Sequence, residues 1–251
     1  MYKLYVIPGS HACRSAILML EHKQLPYRRV DIPTLLHPVA SRLFGFPARQ
    51  ETRSAGAQRP LPLRFGDRVG TVPALAAADE RISTNRRIAR FLDERHPEPP
   101  LFPADPNQRG AVEDAERWAN DKLQMAARRI ALAWAVREPE AAGRSGADGR
   151  MGYLLYKSAL LRRLIIPRIG RHVFAAHADA ERRLLAELPA MLDRIDAWIA
   201  DGVLGGAHLN AADLMIAPSL ALILYRPDML PVFEGRPSLE LVDRLLPEPA
   251  A

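Results

Sequence analysis

Apolar residues change period along this chain, and the change divides it. Leu4 and Val6 alternate with Lys3 and Tyr5, which predicts a half-buried strand. Cys13, Ile17 and Leu20 then recur at helical spacing. From Tyr27 the alternation returns through Val30 and Ile32 and stops at Pro33. Strand, helix and strand in so short a stretch predict a βαβ unit with parallel pairing. Further on, Val72-Pro73-Ala74-Leu75 predicts a strand that begins at a cis X-Pro bend. Arg81-Ile82 pairs back against Leu75, and Ser83 or Thr84 opens a helix carrying Ile88, Phe91 and Leu92. Between these parts, Pro33, Pro38, Pro47, Pro60 and Pro62 interrupt any period, and 47–62 reads as an insertion.

Beyond a proline-rich stretch only the helical period remains. Val112, Ala115, Ala119, Leu123, Ala126, Ile130 and Trp134 predict one long amphipathic helix. A glycine-containing loop over 137–152 follows, then a helix over 151–166 that ends at Pro167. Leu184, Leu188, Leu192, Ile195 and Ile199 form another stripe, in which Pro189 either kinks the helix or starts a new one. Asn210 with Asp213 three residues on reads as a capping box before the most apolar helix, through Leu214, Ile216, Leu220 and Leu224. Ser238 to Leu246 closes the chain as a short helix. The predicted organisation is an α/β domain over 1–96, a linker over 97–106 and an all-α domain over 107–251.

Composition narrows the function. At 251 residues and 48% hydrophobic, the chain can bury a substantial core. Its single cysteine excludes an internal disulfide framework. No apolar run is long enough to span a bilayer and no signal-peptide pattern opens the chain, so a cytoplasmic location is expected. The formal net charge is +6, from 35 Lys and Arg against 29 Asp and Glu. The arginines are scattered among the acids, with no basic tail and no aromatic-basic alternation, so neither nucleic acid nor a membrane is the expected partner. The histidines form no pair at ligand spacing. His172 and His177 are five apart with no carboxylate pattern between them, and no metal site is expected.

The chemistry concentrates at Pro8-Gly9-Ser10-His11-Ala12-Cys13-Arg14. Pro8-Gly9 supplies a bend between strand and helix. Ser10 falls at the helix start, where free backbone N–H groups and the positive helix end favour a thiolate or another anion. Read alone, the same serine is an N-cap on a buried helix. Cys13 is an alternative reactive thiol, or an inert core cysteine on the apolar face. His11 is a candidate solvent-facing or substrate-facing group. No His/Asp arrangement marks Ser10 as a nucleophile itself. Tyr153, Tyr156 and Trp134 line an acceptor pocket or pack in the core.

Ser10-x-x-Cys13-Arg14 occupies the place of the glutaredoxin Cys-x-x-Cys, with serine at the outward position. It resembles the serine-type cytosolic glutathione transferases, such as the delta class. Val72-Pro73-Ala74-Leu75, then Ile82, Ile88 and Phe91-Leu92-Asp93, then Pro97-x-Pro99-Pro100-Leu101-Phe102-Pro103-x-Asp105, is similar to that family's N-domain end and linker. The Asn210-x-x-Asp213 box resembles the one that starts its central C-domain helix. The resemblance covers nearly the whole chain except the insertion. It implies a thioredoxin-like N-domain, an all-helical C-domain and a homodimer. It also implies glutathione or another low-molecular-weight thiol as cosubstrate, and attack by its thiolate on a hydrophobic electrophile. In that frame Ser10 donates a hydrogen bond to the sulfur, Val72 and Pro73 frame the thiol, and Thr84 and Asn85 sit at its polar end. The family's usual Glu-Ser is replaced there by Thr84-Asn85, which leaves the thiol's identity open. A thiol-dependent isomerase uses the same residues, and a non-catalytic scaffold is the third reading.

Overall fold

The computed structural model describes residues 1–33, 40–41, 43–46, 72–78, 80–145, 150–151, 159–160, 163–164, 166–172 and 174–247. The 47–62 insertion, Tyr153 and Tyr156 lie outside them.

The predicted βαβ unit forms: β1 (Tyr2–Val6), α1 (His11–His22) and β2 (Tyr27–Asp31), with β1 and β2 parallel. β3 (Ala74–Ala77) pairs antiparallel with β1 and with β4 (Glu80–Ser83), placing Leu75 opposite both Leu4 and Ile82. The sheet order is β2-β1-β3-β4. β1 is buried on both faces, not one. Leu4 and Val6 join the main core, while Tyr5 packs with Ile32, Phe46, Ala74 and Ala76 on the other side. Strict alternation was the wrong reading of a strand whose two faces are both covered.

α2 (Asn85–Arg95) packs on α1 and leads into the linker. Asp105 then caps α3 (Pro106–Trp118), accepting from the N–H groups of Asn107 and Gln108 at 3.0 and 2.9 Å, with Pro106 at the first helical position. The long predicted helix is α3, a π-helical segment (Ala119–Leu123) and α4 (Gln124–Arg137). The predicted 137–152 loop contains a helix instead, α5 (Pro139–Ser145), with proline at its first position. Pro167 does not end a helix; it lies in the first turn of α6 (Ile166–His172), where its missing N–H is not needed. α7 (Ala178–Ala200) runs through Pro189 unbroken.

α8 (Ala211–Ile223) is buried at every position and packs on α1, α3 and α4, so it joins the two halves. A 3₁₀ turn (Pro227–Met229), α9 (Leu230–Phe233) and α10 (Pro237–Leu245) complete the chain. One core runs from Leu4, Met19 and Leu92 through Leu101 to Ile130, Leu192 and Leu220. No single helix among the described residues is long and apolar enough to cross a membrane.

The start of α8 is closed by the predicted capping box. Asn210 Oδ1 accepts from Ala212 and Asp213, while Asp213 accepts the Asn210 N–H at 2.9 Å and the Gly205 N–H at 2.8 Å. Asp213→Ala is expected to cost about 2–3 kcal/mol, because two N–H groups lose their acceptor in the interior. A denaturant midpoint checks it. Burial raises the Asp213 pKa above the ordinary carboxylate value, against the backbone donors that lower it. A raised folded pKa favours the folded state in acid, and that increment is lost as pH rises through it. The stability advantage of wild type over Asp213→Asn is therefore expected to shrink as pH rises through that range.

Candidate functional site

Pro8 and Gly9 make the bend that places Ser10. The Ser10 N–H donates to Ile7 O at 3.1 Å, and Gly9 has φ 71°. This is the geometry of a type II turn, with proline first and a positive-φ glycine second. Ser10 is extended (φ −79°, ψ 120°) and its Oγ accepts the Cys13 N–H at 3.4 Å. An oxygen that accepts from its own helix keeps its O–H to donate elsewhere. Ser10 is half-buried at the positive end of α1.

Cys13 is turned inward, 1% exposed, with Sγ accepting the Ile7 N–H at 3.4 Å. Burial pushes its thiol up to about 11, against smaller lowering from the Ile7 and Ser10 bonds. A thiol so placed carries almost no thiolate near neutral pH. Native protein is expected to resist alkylation at pH 8, and Cys13→Ala to keep turnover within about threefold, as a buried inert cysteine should. Rapid labelling of the native protein would return the chemistry to Cys13.

His11 is neither solvent-facing nor substrate-facing. It is 3% exposed, and its Nε2 lies 3.2 Å from the Gln124 carbonyl of α4. Burial, with the Arg128 guanidinium adding to it, holds its pKa well below the ordinary histidine value, so the ring is neutral. Adjacency to Ser10 carried no information about direction, because the acceptor comes from the far half of the chain.

Opposite this turn stands the second predicted motif. The Val72–Pro73 peptide is cis, and Pro73 O accepts the Thr84 N–H at 3.2 Å. Thr84 has φ 75° and ψ 145°, a region that β-branched residues avoid, and its side chain does not cap α2. Asn85 Nδ2 donates to Ala12 O at 2.9 Å, tying this wall to the Ser10 turn. Asn85 Oδ1 and the neighbouring Ser83 Oγ are buried without hydrogen-bond partners. Native proteins rarely leave such atoms unpaired without reason. Ser83 entered the sequence reading only as a helix opener; nothing local marked its hydroxyl. Gln124 and Arg128 were missed altogether.

Thus Ser10, Pro73, Thr84 and Asn85 are brought together, with Val72 beside them, while Cys13 and His11 point into the protein. Trp134 is buried. A cavity of about 870 Å³ lies apart from this place, lined by Pro99, Pro103, Asp105, His208 and Leu209 among others. None of the predicted site residues lines it, so that cavity does not locate the chemistry. Among the described residues, no three His, Cys, Asp or Glu side chains are grouped to hold a metal.

Residues 4–100 match the family model described as the glutathione S-transferase N-terminal domain. No curated protein matches the sequence closely enough to count as a relative. Among solved structures, a glutathione S-transferase from Rhodospirillum rubrum is similar at 21% identity and TM-score 0.55, covering 100% of this chain and 94% of its own. One from Ceriporiopsis subvermispora, in complex with glutathione, is similar at 18% identity and TM-score 0.61, covering 100% and 99%. The beta-etherase LigF from a Sphingobium species is similar at 17% identity and TM-score 0.63, covering 99% and 96%. At these identities the structural likeness speaks to the fold.

Proposed function

Residues 4–100 form an N-terminal domain of the glutathione S-transferase family and the whole chain carries that family's fold, and from this premise we propose a transferase that activates a small thiol for attack on a hydrophobic electrophile. The thiol is glutathione or another low-molecular-weight thiol. Its sulfur lies at Ser10 Oγ, whose O–H donates to the thiolate and favours the ionised form. Its peptide runs along Val72, with Pro73 closing the turn. Its carboxylate end meets the N-terminus of α2 between Ser83, Thr84 and Asn85, where backbone N–H groups and a buried hydroxyl are available.

The observation that carries this reading is the tie between the two motifs. Asn85 reaches Ala12 at 2.9 Å and Thr84 reaches Pro73 at 3.2 Å, around a strained Thr84 and two unpaired buried oxygens. Strain and unpaired polar atoms at one place fit a surface built for a ligand. In the reaction the thiol releases its proton to solvent, the thiolate forms a carbon–sulfur bond, and the displaced group leaves with the bonding pair. An aryl ether belongs in the substrate panel beside an aryl chloride, since a β-etherase shares the fold. The N-domain is residues 1–96, with the acceptor arriving from between it and the helical domain, and the protein acts as a homodimer.

Titration calorimetry with glutathione and other small thiols, followed by turnover of a model aryl chloride, tests this. Heat with at least one thiol and chloride release are expected. No heat with any thiol leaves only a scaffold of this fold. Heat with rearranged product and no conjugate would favour the isomerase.

A further inference from the structure

The Ser10 turn is anchored from the other domain. His11, the first residue of α1, sends its ring across to Gln124 O at 3.2 Å. Gln124 opens α4 directly after the π-helical segment, an irregularity that recurs at functional places in helices. An apolar side chain would fill this buried position with no polar group to satisfy. An imidazole there is tolerated only while its hydrogen bond is made, so it specifies one docking of turn against helix. Three charged or titratable groups bear on the place. Arg128 of α4 lies one turn beyond Gln124 on the same face, with its guanidinium 5.0 Å from the Phe174 ring, and acts on both His11 and Cys13. Arg29 of β2 acts on Cys13 from the sheet side, and the Cys13 thiol itself adjoins the turn.

We propose that His11 is a positioning residue, whose bond to the Gln124 carbonyl aligns the Ser10 hydroxyl with the bound sulfur and makes that alignment depend on the helical domain. This rests on the transferase reading above. Activation of a thiol by one donor is sensitive to small displacements, because a hydrogen bond weakens steeply with distance and angle. Loosening residue 11 moves the residue before it, and the loss falls on ionisation of the thiol more than on its affinity.

The experiment uses the full chain with glutathione and a model aryl chloride. Calorimetry on the wild type comes first, and absence of heat overturns the transferase reading and this inference together. Given heat, the pH profile of kcat/KM is compared for wild type, His11→Leu and His11→Gln. In the leucine variant the inflection is expected to move alkaline by about one pH unit, a tenfold change in ionisation, with the dissociation constant of glutathione within about twofold. Glutamine carries a donor at similar reach and is expected to restore most of the shift. His11→Asn, polar but too short to reach the carbonyl, replaces leucine if that variant does not fold. An unmoved inflection in the variants that lack the bond, or a glutamine variant no better than they are, overturns the positioning role while leaving the transferase reading intact.

Discussion

Ser10→Ala is expected to lower kcat/KM for a model aryl chloride about 10- to 100-fold. One hydrogen bond to a charged partner contributes about 1.5–3 kcal/mol, and each 1.4 kcal/mol is a decade in rate. The bond in question is made to the thiolate and not to the thiol, so its loss appears as a raised thiol pKa. Turnover should recover as pH rises, and the gap to wild type should narrow above the ordinary thiol range. Alanine also removes the oxygen that accepts the Cys13 N–H at 3.4 Å. That cap contributes about 1 kcal/mol to stability, which a melting curve separates from the catalytic effect. Ser10→Thr keeps both the cap and the donor and is expected to retain most activity. A Ser10→Ala enzyme with an unchanged pH profile would mean that the hydroxyl does no more than cap α1.

What could be read from residues alone was what local chemistry decides. Pro8-Gly9 needs only its own torsions to bend the chain at Ser10. Val72-Pro73 announced a cis bend because a proline at a strand start has few other uses. Asn210 and Asp213 close a box within four residues. What could not be read was whatever depends on a partner far along the chain. The direction of His11 is set by Gln124 and the burial of both faces of β1 by Phe46 and Ile32. Proline was over-read as a breaker: Pro167 and Pro189 both lie within helices, where tertiary packing overrides local preference. The orphaned Ser83 hydroxyl and the strained Thr84 are properties of a folded wall and have no sequence signature. Asp93 was noted only as part of a resemblance, and the structure gives it a physical task.

That task yields the largest stability effect expected here. Asp93→Ala should cost about 3–5 kcal/mol, or about 10 °C in the melting midpoint for a chain of this size. The Lys23 ammonium is fully buried at the end of α1, donating to Asp93 Oδ1 at 3.0 Å, to Pro99 O at 2.8 Å and to His96 O. Asp93 Oδ1 also accepts the Leu101 N–H at 2.7 Å. Leu101 O in turn accepts the Ala211 N–H at 2.9 Å, at the first residue of α8. One carboxylate thus holds the end of α1, the linker and the start of the central helix in a single arrangement. Alanine leaves the ammonium buried with two carbonyls and no counter-charge, and leaves the Leu101 N–H without its acceptor. Lys23→Met removes the charge instead of stranding it, so its cost should be smaller. The pair Lys23→Met with Asp93→Leu should likewise be more stable than Asp93→Ala alone, the sign of coupling that a double-mutant cycle reads directly. Because the same node sets how the helical domain sits on α1, Asp93→Ala should also weaken thiol activation at Ser10 at temperatures where the protein is still folded. A variant within about 0.5 kcal/mol of wild type, the scatter of ordinary surface substitutions, would show that the ammonium finds water when its partner is gone.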